Sequence, residues 1–192
     1  IISPANNKSI VGIFQDSLLG AYRFTRTDIT FTQRQAMNLL MSIKNVDERL
    51  FKNRKKRISS FEILSQILPL ISTHFKNNAY SENNHSNNII EIRNGQYIRG
   101  QMDKSTFGGS KGLIQSIYND YSDLDSANFI DNLQNIVTEY MKNSAFSVGI
   151  SDLIANNETN EQIIDAIAKK KQEVISLINQ THIGVFENNT GK

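Results

Sequence analysis

The sequence contains no cysteine, which excludes a disulfide framework and a thiolate zinc site and fits a reducing compartment. It has no apolar run of about 18 residues, so no membrane-spanning helix is expected. The opening "IISPANNK" has no basic segment followed by an apolar block, the pattern of a secretory signal. Histidine is scarce: His74, His85 and His182 lie far apart with no carboxylate at metal-ligand spacing. Asp120, Asp123 and Asp125 in "NDYSDLDS" lack the glycine and terminal glutamate of a calcium loop, and read as a helix boundary rich in capping aspartate. "GGSKG" at 108–112 misses the Walker spacing, because Lys111 precedes Gly112 and no Ser or Thr follows. Free N–H groups at a helix start can hold an anion, but a plain loop-to-helix turn accounts for this stretch. No Gly-x-Ser-x-Gly and no Cys/His pair supports nucleophilic catalysis. Asn-x-Ser/Thr triplets at Asn7, Asn84, Asn157, Asn179 and Asn188 are accidents of an Asn-rich composition. Read from its residues alone, the chain has no self-contained active site.

What the chain does have is enough apolar sequence for a core, 39% of 192 residues, sized for one large or two small domains. Its net charge of +2 hides a division. Residues 1–100 hold 14 Lys and Arg against 7 Asp and Glu, and residues 101–192 hold 7 against 12. A basic half can face nucleic acid and an acidic half a basic partner; a basic loop with solvated helix faces explains the same count. "KNRKKR" at 52–57 fits a hairpin tip, a nuclear-import signal, a phosphate-facing loop or a solvated loop. Residues 76–88, with six asparagines, are low-complexity sequence expected to form a surface loop.

The patterning predicts an α+β fold: small mixed β-structure with short helices, then a long antiparallel helical hairpin. Residues 9–14 read as a buried strand whose Gly12 lets another backbone come close. Asp28 or Thr30 is expected to cap a helix to about Ile43, with Met37, Leu40 and Met41 inward. Ser59 or Ser60 should cap a short helix carrying Ile63, Leu64 and Ile67, stopped at Pro69. "IIEIR-NG-QYIRGQM" predicts a hairpin turning at Asn94-Gly95, which supply the two positive-φ positions of a type I′ turn. Leu113, Ile114, Ile117, Tyr118 and Tyr121 share one helix face. A helix from about Ser126 to Asn143 turns Phe129, Ile130, Leu133, Ile136, Val137, Tyr140 and Met141 inward. After Gly149 and possible caps at Ser151 and Thr159, another runs from about Asn160 to Thr181 with Ile163, Ile164, Ile167, Val174, Ile175 and Ile178. Lys169, Lys170 and Lys171 interrupt its stripe, so it should be only partly buried, at an edge.

Collinear segments carry a resemblance. "ISPANNKSIVG", "QDSLLGAYRFTRTD" and "QAMNLLM" near the start, then "IEIRNGQYIRGQMDKSTFGGSKGLIQ" and "NFIDNLQNIVTEYMKNSAFSVGISDLI", together resemble the largest subunit of multisubunit DNA-directed RNA polymerases. They cover nearly the whole chain, in order, and "QAMNLLM" leans toward the eukaryotic and large-DNA-virus branch. The Asn, Ile and Lys richness suits a large DNA virus or an AT-rich protist. The abrupt start and end suggest a piece of something longer.

The resemblance implies a pore region at 1–122 and funnel, or rim, helices at 123–192. Together they would shape the secondary channel through which nucleoside triphosphates arrive, backtracked RNA is extruded and transcript-cleavage factors insert. The family's magnesium-binding Asn-Ala-Asp-Phe-Asp-Gly-Asp loop is not in the sequence, so Mg2+ is implied for the parent enzyme and the chain is expected to be inert alone. Implied partners are other polymerase subunits, DNA template, RNA transcript and a cleavage factor, with no membrane; the implied setting is a nucleus, viral factory or virion. Gln15 and Asp16 match the family's Gln-Asp, whose glutamine points toward the RNA 3′ end. An amide both donates and accepts, which suits phosphate, ribose or base without adding charge. Asp16 is expected to cap the following turn, Ser3-Pro4 to fix an extended lead-in, and Gly20 to make a tight turn. Arg23 and Arg26 are candidate phosphate contacts or surface salt pairs. Lys52, Arg54, Lys55, Lys56 and Arg57 form a candidate nucleic-acid-facing loop. The competing reading is a non-enzymatic binding module, basic at one end with a helical hairpin for a protein partner. A stand-alone nucleotide-binding enzyme using "GGSKG" is an outsider.

Overall fold

A computed structural model describes residues 1–52, 57–76, 87, 89–109 and 112–183. It is α+β, as expected. A small ladder pairs β1 (Ile2–Ser3) with β2 (Lys8–Ser9), followed by α1 (Gln15–Phe24). β3 (Thr30–Phe31) leads to α2 (Gln33–Leu39) and pairs antiparallel with β4 (Ile58–Ser59), which enters α3 (Ser60–Leu64). β5 (Thr73–Lys76), β6 (Ile89–Arg93) and β7 (Gln96–Arg99) form an antiparallel sheet in that order. α4 (Lys104–Gly108), α5 (Leu113–Asp120), α6 (Asp123–Ser144) and α7 (Asn157–Ile183) complete the chain.

Packing divides the chain into two units, Ile1–Ala145 and Phe146–Lys192. This packing division falls after Ala145, because α6 lays its apolar stripe on α1 and α5. That stripe is the expected one: Phe129, Ile130, Leu133, Ile136, Val137 and Tyr140 are buried and Met141 packs half-buried beside them. The recurrence at three and four residues puts them on one face of a helix about 33 Å long. Ser122 caps α6, its Oγ accepting from the Asp125 N–H at 3.0 Å. Asp123 and Asp125 occupy the first turn, where negative charge suits the helix dipole. Among the described residues, no cluster of His, Asp and Glu has the makings of a metal site.

The hairpin forms where expected. Asn94 and Gly95 take φ of 49° and 75°, and β6 and β7 pair directly across them. Ser59 caps α3 through a reciprocal pair with Glu62, and Ile63, Leu64 and Ile67 are buried. The helix ends at Leu64, however, well before Pro69. The Ser65 hydroxyl donates back to Phe61 O at 2.7 Å and accepts the Tyr97 N–H at 2.9 Å, tying the helix end to β7.

Several expectations are corrected. The strand at 9–14 shrinks to Lys8–Ser9: Ile13 is buried, but Ile10, Val11 and Phe14 are more than half exposed. Gly12 faces side chains, not backbone; a Cβ there would lie 3.4 Å from Ile114 Cδ1. Thr32, not Asp28 or Thr30, caps α2, using a reciprocal pair with Gln35. Ala36, Leu39 and Leu40 form the inward face of this helix and its end, while Met37 and Met41 are exposed. On α5, Leu113, Ile114 and Ile117 are buried but Tyr118 and Tyr121 stay partly exposed, since an eight-residue helix presents only two turns to the core. Gly20 makes no turn. It lies inside α1, where a Cβ would come within 3.0 Å of Val137 Cβ and 3.1 Å of Met141 Cγ, so its missing side chain lets α1 and α6 approach closely.

In the second unit a short 3₁₀ turn at Ile150–Leu153 precedes α7. Asn156, not Ser151 or Thr159, provides the side-chain bond at the helix start, its Oδ1 accepting from Thr159 N–H at 2.8 Å. α7 is about 40 Å long. Its Ile163, Ile167, Val174 and Ile178 are about half exposed, and Lys170 pairs with Glu173 at 2.6 Å.

Candidate functional site

The N-terminal segment delivers Gln15 to the start of α1. Ile10 N–H donates to Ile1 O at 2.8 Å, closing the ladder behind the Ser3–Asn7 turn. Buried Ile13 pins the extended run that follows. Phe14 then sits at the helix cap with no side-chain bond to the first turn, which corrects the capping role expected of Asp16. Asp16 lies within that first turn instead. Gln15 is exposed and has φ of 47°, a left-handed backbone that few non-glycine residues adopt. Both side chains are therefore presented to solvent at the head of a helix whose body is clamped.

The clamp begins with Ala21 and Phe24, which are fully buried. Thr25 Oγ1 donates to Ala21 O at 2.8 Å and accepts the Met102 N–H at 2.9 Å. Gln101 Nε2 reaches Tyr22 O at 2.9 Å. These bonds join the end of α1 to the segment that leaves the β6–β7 hairpin.

Among the described residues the candidate cations are dispersed. Arg23 donates to the Ala145 carbonyl, and Arg26 pairs with Asp28 at 3.0 Å. Lys52 is exposed after the 3₁₀ turn at Glu48–Phe51. Arg57 Nε donates to Thr30 Oγ1 and its Nη2 to Thr30 O, each at 2.8 Å, binding it to the edge of the β3–β4 pair. Arg54, Lys55 and Lys56 lie outside the described residues, as do Lys111 of "GGSKG" and His85. His74 is exposed on β5 and His182 on α7.

A cleft of about 780 Å3 opens between β3, α2 and α6, with Phe31 and Tyr140 at its base, Met37 and Met41 on one wall and Arg34 and Arg57 beside them. Its aromatic base continues inward: Phe24 stacks on Phe31 at 5.5 Å between centroids and meets Tyr140 edge-on at 5.2 Å. Sequence reading misses this cleft, since Phe31 and Tyr140 belong to separate periodic patterns that only tertiary packing joins.

Two carboxylates are electrostatically anchored. Glu91 on β6 is paired with Arg93 and, at 2.8 Å, with Arg99. The Arg93 hydrogen bond holds its carboxyl below the ordinary value, against an opposing effect of burial and with help from Arg99. Glu139 on α6 accepts from Lys142 and, at 2.9 Å, from Asn38 of α2; the Lys142 bond first, then that of Asn38, lowers its pKa. Tyr97 is shifted upward by burial and then by the charge of Asp103. It stays neutral and donates to Gly100 O at 2.8 Å.

A family model described as "RNA polymerase Rpb1, domain 3" matches residues 1–153. The chain is 30% identical over 177 residues to the DNA-directed RNA polymerase II subunits RPB1-A and RPB1-B of Trypanosoma brucei brucei, covering 90% of the chain and 10% of each subunit. It is 28% identical over 182 residues to DNA-directed RNA polymerase subunit 1 of Acanthamoeba polyphaga mimivirus, covering 93% of the chain and 11% of that protein. The chain thus spans about a tenth of the length of these curated relatives.

Proposed function

The chain belongs to the family of RNA polymerase Rpb1, domain 3, and from that premise we propose that it lines the secondary channel of a DNA-directed RNA polymerase. In this reading 1–122 form the pore and 123–192, with α6 and α7, the funnel. Functional regions and packing units need not coincide: α6 would start the funnel while its apolar stripe roots it in the core of the pore. The observation that carries the reading is the match over residues 1–153, which contains the Gln15-Asp16 pair and the exposed head of α1.

The channel admits nucleoside triphosphates, receives the 3′ end of backtracked RNA and accepts a transcript-cleavage factor at the funnel. The remaining polymerase subunits and the DNA template complete the assembly, in a nucleus or, for a viral enzyme, in a viral factory or virion. Magnesium serves the parent enzyme; the described residues of this chain do not fit it, since they bring no set of carboxylates together. What the chain contributes is access and orientation. Gln15 offers an amide that donates to phosphate or ribose oxygen and accepts from a base or hydroxyl. Asp16, one residue on in the first turn of α1, borders the same path and discourages anions from lodging there.

The test is Gln15→Ala in the full-length subunit, assembled into polymerase. Loss of one hydrogen bond to a charged group should slow cleavage of backtracked RNA about tenfold, with magnesium affinity unchanged. Wild-type cleavage would remove Gln15 from the channel site.

A further inference from the structure

Gln115 is an unusual use of a polar side chain. It lies in the first turn of α5, 4% exposed, among Leu113, Ile114 and Ile117, which are fully buried. Its Nε2 donates to Asn7 Oδ1 at 2.9 Å, while its Oε1 is buried and finds no hydrogen-bond partner among the described residues. Burying an amide with its carbonyl unmatched works against stability. Its one bond must therefore matter for where it holds something, and what it holds is the turn that leads to Gln15.

Asn7 has φ of 47°, and its N–H donates to Ser3 O at 2.9 Å, closing the turn. The same face of the molecule grips the segment twice more. Ser9 Oγ donates to Phe107 O of α4 at 3.4 Å, and Gly12 rests against the Ile114 side chain. Beyond that third contact the chain has only buried Ile13 and the extended Phe14 before the second left-handed residue, Gln15. A local backbone outlier persists when its surroundings over-determine it, and Gln115 is the buried polar anchor of those surroundings.

We propose that Gln115 is a positioning residue: by clamping Asn7 it seats the Ser3–Asn7 turn on α5 and so sets the position from which Gln15 reaches the RNA 3′ end. The function of the clamp rests on the channel reading of Gln15. The clamp itself does not.

Two measurements separate these. In the 192-residue chain, Gln115→Leu keeps the bulk and removes the amide. Amide hydrogen exchange should accelerate at Asn7 and Ile10, whose N–H groups close the turn and ladder, while α6 stays protected. Asn7→Gly breaks the same bond from the exposed side while tolerating the left-handed backbone at this position, and should likewise accelerate exchange at Ile10, so the test survives if the core variant folds poorly. Unchanged exchange at Asn7 and Ile10 overturns the clamp. In assembled polymerase, Gln115→Leu should slow the cleavage step of backtracked RNA about as much as Gln15→Ala, roughly tenfold, leaving the KM for nucleoside triphosphates unchanged. The double variant should be no slower than Gln15→Ala alone, because a displaced Gln15 and an absent one lose the same contact. Additive losses, or wild-type cleavage by Gln115→Leu beside a slow Gln15→Ala, overturn the positioning role. An inert Gln15→Ala overturns the channel reading and the positioning role with it, and altered exchange then assigns Gln115 to the fold alone.

Discussion

Glu91 sits between two guanidiniums with its side chain about 10% exposed, and its lowered pKa ties the hairpin to pH. The unfolded chain takes up this proton near the ordinary carboxylate value, while the folded chain resists until lower pH. The contribution of Glu91 is therefore complete above the ordinary value of 4.5 and lost as pH falls through the depressed one. Urea midpoints measured from neutral pH down to about pH 3 should fall below about pH 4.5. Glu91→Gln should flatten part of that fall, with Glu139 accounting for more of the remainder. The charges themselves are plain in the sequence, but their pairing is not: Glu91 and Arg99 meet because the Asn94-Gly95 turn folds one strand onto the other.

At the scale of elements, α1 and α6 meet closely at Gly20, where even a Cβ would press on Val137 and Met141 at 3.0 and 3.1 Å. Gly20→Leu would drive a side chain into Val137 and Met141, and overpacking of this kind costs about 1–3 kcal/mol. Gly12→Ala, with nothing nearer than 3.4 Å, should stay within about 0.5 kcal/mol of wild type. Chemical denaturation of the two variants side by side checks the contrast. Both glycines looked like backbone devices in the sequence, one for close approach and one for a turn; a glycine's reason depends on its neighbours, which sequence order does not supply. Turn and cap chemistry fared better. Asn94-Gly95 and Ser59 act within a few residues of themselves, so local rules suffice. The start of α2 departs from the local expectation because Asp28 is committed to Arg26 and Thr32 offers the reciprocal pair with Gln35.

For the whole molecule, the division after Ala145 has a direct consequence. Phe146, Val148, Ile150 and Leu153 are more than half exposed in a stretch with one short 3₁₀ turn, whereas α6 just before it lays its apolar stripe on the core. Limited chymotrypsin digestion should cut between 146 and 153 before it cuts inside α6; mass spectrometry of the early products checks this, and an earlier cut inside α6 would contradict the packing. The family was readable in the sequence because long collinear words such as "SPANN", "QDSLLG" and "SVGISDLI" survive without knowledge of contacts. So were the α+β class, the hairpin and the inward stripe of α6, all of which follow from short-range periodicity and turn chemistry. Tertiary structure alone decided that Gly20 serves a helix crossing, that Arg23 and Arg26 are engaged by Ala145 and Asp28, that Phe31 and Tyr140 floor one cleft, and that Gln115 holds Asn7. Each of these, apart from the local Arg26–Asp28 pair, joins residues about a hundred or more positions apart, and a partner at that distance is chosen by packing geometry, which no local pattern encodes.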